Sequence, residues 1–305
     1  MKVLVAGGSG FLGTSLETSL TKDGHEVFIL TRRAATDRHK IQWDGKSTKG
    51  WGHLVNDMDA VVNMTGHGLE HWPWTKRQKQ NFVDSRVIPG RALVSAIQNA
   101  KRRPCVFLQT SGVNFYGLRG EGLADESTPP AGDFLAQLTV AAEEATQPVE
   151  EFGLRRVIVR NAVVLDRNAG LFPLFALAPR LFFGGKFGGG RQAMPWIHIT
   201  DQLNAMRFLL EDEKAHGPYN LISPQPTSNA EFMQAVNRAL RHPYWFHIPK
   251  FLLRFVLGEM SVLLTEGRFS QPKRLIELGF RFQFGNLDEA MENLLIRTIP
   301  ATSGV

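Results

Sequence analysis

The residues of this chain with the plainest chemical use lie near its start, where VAGGSGFLG carries Gly7, Gly10 and Gly13 at the spacing G-x-x-G-x-x-G. Glycines there allow a sharp turn and let backbone amides approach a diphosphate with no Cβ in the way. The N-terminus of a following helix adds free N–H groups and the positive end of its dipole. Such a motif is weak alone and strong directly after an N-terminal strand at the opening of a helix. Ser9, Phe11 and Leu12 belong to the same turn and join the candidate cofactor contacts.

The second strand-like run, HEVFILTRR, ends in Thr31, Arg32 and Arg33. An NAD-selective site places a carboxylate there to accept from the ribose 2′-hydroxyl. Two guanidinium groups instead suit the 2′-phosphate of NADP, so NADP(H) is the expected cofactor. A pair of solvated surface arginines is the alternative. Thr65 and Gly66, at the end of DAVVNMTG, are placed on the same rim.

These groups need a scaffold, and the patterning supplies one. KVLVAGG, HEVFILTRR, KIQWD, DAVVNMTG, RPCVFLQTSG and LRRVIVRNAVVL read as six strands. Helical periodicity marks FLGTSLETSLTKDG, a stretch from about Lys76 to Asn99, and DFLAQLTVAAEEA onward to about Phe152. Buried Val, Ile and Leu runs alternating with helices predict an α/β fold, a doubly wound parallel sheet of Rossmann type. Beyond about residue 165 the alternation fails. LFPLFALAPRLFFGGKFGGGRQ predicts a helix and then a loop over a cleft, while PWIHITD and GPYNLIS look like strand returns. NAEFMQAVNRAL, PKFLLRFVLGEM and DEAMENLLIR predict helices. The expected division is a cofactor domain over 1–165 with returns from about 193–222, and a small, mostly helical substrate lobe over 166–192 and 223–298.

Composition sets bounds. The 305 residues, 43% hydrophobic and 21% charged, suit a globular protein. The net charge of +6 comes from scattered basic residues with no aromatic interleaving, so an anionic small ligand is expected and nucleic acid is not. No apolar run approaches the ~20 residues of a membrane span, and no membrane partner is expected. The one cysteine, Cys105, suits a reducing compartment and reads as an inert core thiol. KVLVAGG starts at residue 2 and already belongs to the fold, so no signal peptide is expected and the cytoplasm is. A small-molecule substrate is expected, and self-association stays open.

With these residues together, the chain resembles the extended short-chain dehydrogenase/reductases. More narrowly it resembles their atypical "epimerase family" branch, nucleoside-diphosphate-sugar epimerase-like and also called cell-division-inhibitor-like. GGSGFLG, IQWDG, DAVVNMTG, PWT with DSRV, TSGVNFYG, AGDFLAQL, RNAVVL, GGGRQAMPWIHITDQL, GPYNLISP with TSNAEF, and QPKRLIELGFRF carry the likeness nearly end to end. The resemblance implies a Rossmann domain with a small substrate lobe and a bound nicotinamide dinucleotide. It also implies a serine after the fifth strand, matched by Ser111, and a tyrosine with a lysine four residues on. One helical turn would put that pair on one face. A phenol near pKa ~10 needs the nearby cation to work at neutral pH.

The pair is missing. Matching the helix by its DFL start puts Gln137 and Ala141 at the two positions. The three tyrosines, Tyr116, Tyr219 and Tyr244, are followed four residues later by Gly120, Ser223 and Ile248. Tyr116 beside Ser111 is the candidate substitute acid, with a packing role as its alternative. His198 in PWIHITD is a candidate base or a structural histidine. Met194 and Pro195 stand where the resemblance implies a phosphate-binding arginine, with Arg191 nearby, which weighs against a nucleotide sugar. HGLEH matches a zinc pattern in letters but sits between glycines and a proline, so no metal is expected. Phe172, Phe175, Phe182 and Phe183 suggest a greasy cleft, and YWFHIPKFLLRFVLGEM a strongly apolar helix whose few basic residues favour packing in the C-terminal lobe or a subunit contact, with a membrane surface as the alternative. Three readings stay open: an NADP(H)-binding reductase- or epimerase-like enzyme on a small substrate, a cofactor-loaded sensor or scaffold, and a nucleotide-sugar epimerase.

Overall fold

The computed structural model describes residues 1–34 and 37–295. Its first part runs β1 (Lys2–Ala6), α1 (Phe11–Lys22), β2 (Glu26–Thr31), β3 (Lys40–Gln42), β4 (Ala60–Asn63), α2 (Lys76–Gln98), β5 (Val106–Gly112), α3 (Phe134–Glu144) and β6 (Arg155–Asn161). It continues through β7 (Val163–Leu165), α4 (Phe172–Arg180), β8 (Gly184–Phe187), β9 (Trp196–His198), α5 (Ile199–Glu211), β10 (Gly217–Leu221) and α6 (Asn229–Leu240). Then come β11 (Tyr244–Ile248), α7 (Lys250–Leu257), α8 (Val262–Thr265), α9 (Lys273–Glu277) and α10 (Leu287–Leu295).

The described residues form a seven-stranded sheet in the order β10-β6-β5-β4-β1-β2-β3, parallel at every pairing. The expected Rossmann-type sheet is present. Its strands are apolar on both faces because helices cover both, and alternate residues feed two cores. Val3, Val5 and Val62 pack with Leu16 of α1 and Leu209 of α5, while Leu4, Val61 and Phe107 pack with Leu93 and Ile97 of α2. Strand order reverses around β1, which leaves a crevice at the carboxyl ends of the strands. No helix among the described residues is long and apolar enough to cross a membrane.

Several local expectations change. LRRVIVRNAVVL is two strands, broken at Ala162, whose N–H turns to the Leu221 carbonyl. β7 thereby leaves the sheet and pairs with β9, so PWIHITD does not return to the main sheet, whereas GPYNL joins it beside β6. The glycine-rich segment is no simple loop, because GGKF forms β8 and pairs with YWFHI as β11. That pairing depends on Gly185, where a Cβ would lie 1.5 Å from the Phe246 carbonyl oxygen. Cys105 is exposed at the start of β5, not a core thiol. A third apolar cluster gathers Phe172, Phe187, Trp196, Phe232 and Met291 from α4, β8, β9, α6 and α10. Ile296, Arg297 and the boundary at 298 lie outside the described residues.

Candidate functional site

The crevice is built first by glycines. Gly7, at φ +80°, brings the chain so close to β4 that a Cβ would meet the Met64 carbonyl oxygen at 2.7 Å. A Cβ on Gly13 would meet the Gly8 Cα at 2.5 Å, so α1 sits directly on the loop. Gly10 differs. It is the exposed N-cap of α1, no side chain caps the helix, and only the Gly7 oxygen lies within 4 Å of where a Cβ would stand. The first-turn amides therefore face open space into which a larger residue at position 10 would intrude, and such an uncapped turn suits a diphosphate. Ser9 is exposed on the same turn; Leu12 packs inward, and the Phe11 ring lies against Gly170.

Thr31 is buried, and its hydroxyl oxygen accepts from the Arg33 amide at 3.2 Å, which turns the chain sharply. Arg32 and Arg33 are exposed, and neither has an ion pair among the described residues. Across the crevice, Asn63 accepts from the Thr65 amide and hydroxyl at 3.1 and 2.7 Å, which fixes the exit of β4. Gly66 lies against the Arg86 guanidinium, where a Cβ would stand 3.1 Å from Cζ. Arg86 donates to the His67 and Phe82 carbonyls at 3.1 and 3.0 Å, and burial pulls it down to about 10. HGLEH is irregular, with the His67 and His71 rings 4.0 Å apart. Burial first, and then the neighbouring His71, Arg86 and Arg32, hold His67 below its usual range.

Ser111 stands at the carboxyl end of β5, and its hydroxyl donates to Glu143 of α3 at 2.7 Å. Glu143 also accepts from Arg160 Nε and Nη2 at 3.0 and 2.9 Å. Arg160 Nη1 donates to the Tyr116 hydroxyl at 2.9 Å, and that hydroxyl donates to Asn220 at 2.7 Å. The chain continues as the Asn220 amide donates to Glu126. Tyr116 is 0% exposed, and burial pushes its phenol up to about 12 despite Arg160. It is therefore a packing and bridging residue with no open face toward a ligand, which corrects its candidacy as an acid.

The sequence reading missed Glu143 and Arg160. Gln137 is exposed and turns back to the Gly132 carbonyl, so the α3 side chain facing Ser111 is Glu143, six residues beyond the position given to the tyrosine. A signal existed: an arginine inside the apolar run RRVIVRN and a glutamate on the apolar face of α3 each require a buried partner. His198 is structural. Its Nδ1 accepts from the Thr200 amide at 3.1 Å, Nε2 meets Asn293 at 3.2 Å, and burial lowers its pKa to about 4.

A cavity of about 450 Å³ opens between the segment before α2, the start of α3 and the segment after α7, lined by apolar Trp74, Leu118, Phe134, Leu135 and Val262 together with charged Arg119, Asp133, Glu259 and Glu266. None of the four expected phenylalanines lines it: Phe172 and Phe175 are buried in the third core, and Phe182 and Phe183 are exposed elsewhere. Arg191 is exposed, and Met194 is buried in that same core.

Residues 3–221 match the NAD dependent epimerase/dehydratase family, and residues 248–294 match a domain of unknown function, DUF1731. The chain is 33% identical over 300 residues to the epimerase family protein YfhF of Bacillus subtilis, covering 97% of this chain and 98% of that one. It is 34% identical over 294 residues to the epimerase family protein ML0860 of Mycobacterium leprae, covering 95% and 94%. Among solved structures, human epimerase family protein SDR39U1 with NADPH superposes at a TM-score of 0.89 with 31% identity, covering 97% of this chain and 99% of that one. With the glycine cradle, the sheet order and these end-to-end matches in agreement, the chain belongs to the NAD dependent epimerase/dehydratase family as an atypical extended short-chain dehydrogenase/reductase.

Proposed function

We propose that the chain binds NADP(H) across the glycine cradle and acts as a reductase-like enzyme on a small, partly apolar molecule, without a tyrosine–lysine pair. One observation carries the cofactor reading: the uncapped N-terminus of α1 faces open space, and the adjacent strand β2 leads into two exposed arginines that have no ion pair among the described residues. The human relative, whose structure holds NADPH, supports the same choice. When bound, the cofactor supplies or accepts a hydride. The amides of residues 11–13 would hold its diphosphate, while Arg32 and Arg33 would neutralise the 2′-phosphate. Ser111 has committed its proton to Glu143, so it offers lone pairs to a ligand and orients a substrate hydroxyl by accepting from it.

Calorimetric titration with NADPH and NADH tests the cofactor reading. Submicromolar to micromolar NADPH binding, weakened at least about tenfold in R32A/R33A with NADH unaffected, is the expected result. Wild-type protein that takes up no NADPH overturns it. The committed Ser111 proton also favours a second reading, a cofactor-loaded sensor without turnover. NADPH oxidation over a carbonyl panel, or NADP+ reduction over an alcohol panel, supports the enzyme. Silence on both panels, with partner capture that depends on NADPH, supports the sensor.

A further inference from the structure

We propose that α4, the β8–β11 ribbon and α7 form a docking surface for an anionic phospholipid bilayer. The segment YWFHIPKFLLRFVLGEM, expected to pack in the C-terminal lobe or at a subunit contact in preference to a membrane surface, carries its large side chains outside. Trp245 is 66% exposed, Phe251 75% and Phe255 88%, with Leu252 and Val256 exposed beside them and Leu253 as the buried anchor. The neighbouring elements add to them. Leu174, Leu177 and Leu181 are exposed along α4, and Phe182 and Phe183 follow. The end of α4 and the ribbon adjoin: Trp245 donates to the Phe182 carbonyl at 3.0 Å, Phe183 and Phe246 meet edge to face at 5.9 Å, and β8 pairs with β11. Helix α7 follows β11 directly, and its Lys250 lies against Gly188 just past the end of β8. An uncovered group of this size is rare on a monomeric surface and marks an interaction site.

Charge chooses the occupant. Residues 171–192 contain Arg180, Lys186 and Arg191, and residues 238–258 contain Arg238, Arg241, Lys250 and Arg254, with no Asp or Glu in either stretch. Arg238 and Lys250 are matched by Asp288 and Glu266. Among the described residues Arg180, Lys186, Arg241 and Arg254 have no ion pair. The nearby acids are already engaged, Glu259 by Lys79 and Glu266 by Arg119 and Lys250. A two-fold dimer through this face would bring the unpaired cations of both copies together across an interface whose nearby carboxylates are already engaged. Phospholipid offers what the face lacks, phosphate for the guanidiniums and an interfacial apolar layer for Trp, Phe and Leu. The helix α7, eight residues long, is too short to span and lies in the interface.

Co-sedimentation of the full chain with phosphatidylcholine vesicles, with and without phosphatidylglycerol, tests the proposal. The wild type is expected to sediment with the phosphatidylglycerol vesicles, to be released by salt, and to show a blue-shifted tryptophan emission when bound. Phe251→Ser/Phe255→Ser and Arg254→Glu should each weaken binding at least about tenfold. Their melting temperatures should stay at the wild-type value, because those rings are exposed. The salt dependence of the wild type reads the same charge argument without any variant. Equal binding to both vesicle types, or to neither at low salt, overturns the proposal. So does a concentration-dependent dimer in sedimentation velocity that Phe251→Ser/Phe255→Ser abolishes, since a second copy would then be the occupant.

Discussion

Tyr116, Arg160 and Glu143 show how a single buried hydroxyl can look catalytic in sequence and be structural in space. The phenol accepts from Arg160 and donates to Asn220, so both of its hydrogen-bonding roles are filled by protein. Replacing it by phenylalanine leaves Arg160 Nη1 and Asn220 Oδ1 without that partner. Tyr116→Phe is therefore expected to cost about 1–3 kcal/mol of stability in urea unfolding. NADPH affinity and any turnover per folded molecule should be unchanged. A variant of wild-type stability but reduced turnover would restore Tyr116 to the chemistry. Arg160→Met goes further, because it strands Glu143, whose side chain is only 10% exposed. A loss of about 3–5 kcal/mol is expected, since a buried carboxylate then lacks its cation. Arg160 also lies 3.4 Å from the Phe115 ring centroid, so its removal unpacks that ring as well.

At the level of elements, the cradle separates folding from binding glycine by glycine. Gly13→Ala drives a methyl into the Gly8 backbone, which cannot yield without moving α1, and should lower stability by about 1–3 kcal/mol. Gly10→Ala adds its methyl to open space at a φ of −86°, so the fold should keep its melting temperature. Its NADPH affinity should drop, because the methyl enters the open space before the uncapped turn; thermal melts paired with titration separate the two effects. Unweakened binding in Gly10→Ala would move the diphosphate elsewhere. This cradle was legible because strand, glycine turn and helix are local. The parallel sheet was legible too, since runs such as VLVA and AVVN admit little else. What could not be read depended on distant partners. The break at Ala162 is set by a carbonyl on β10, and GGKF becomes a strand only because YWFHI arrives more than fifty residues later. The contact of Ser111 with Glu143 likewise follows from how α3 packs on β5, which a match of DFL letters does not encode.

For the whole molecule, the first turn of α5 joins the sheet to the last described segment. The Asp201 carboxylate accepts from the Gln283 and Phe284 amides, both at 2.8 Å, while the His198 ring lies tilted against Phe284 and meets Asn293. Asp201→Ala leaves two amides unpaired and should expose residues 279–295 to limited proteolysis, with NADPH binding retained, because the cradle shares none of these bonds. The histidine makes this junction sensitive to pH. Burial lowers its folded pKa to about 4, whereas an unfolded chain protonates it near 6.5. Its neutral ring thus contributes stability that is fully present above about pH 6.5, drains as pH falls toward about 4, and is spent below that. The contribution is on the order of 2–3 kcal/mol for so buried a ring. His198→Asn keeps an acceptor for the Thr200 amide but cannot titrate. Urea unfolding at about pH 7.5 and about pH 4.5 should therefore show the wild type losing more stability on acidification than the variant, by roughly that amount. Equal losses would mean that the folded chain does not hold the His198 ring neutral below its ordinary range.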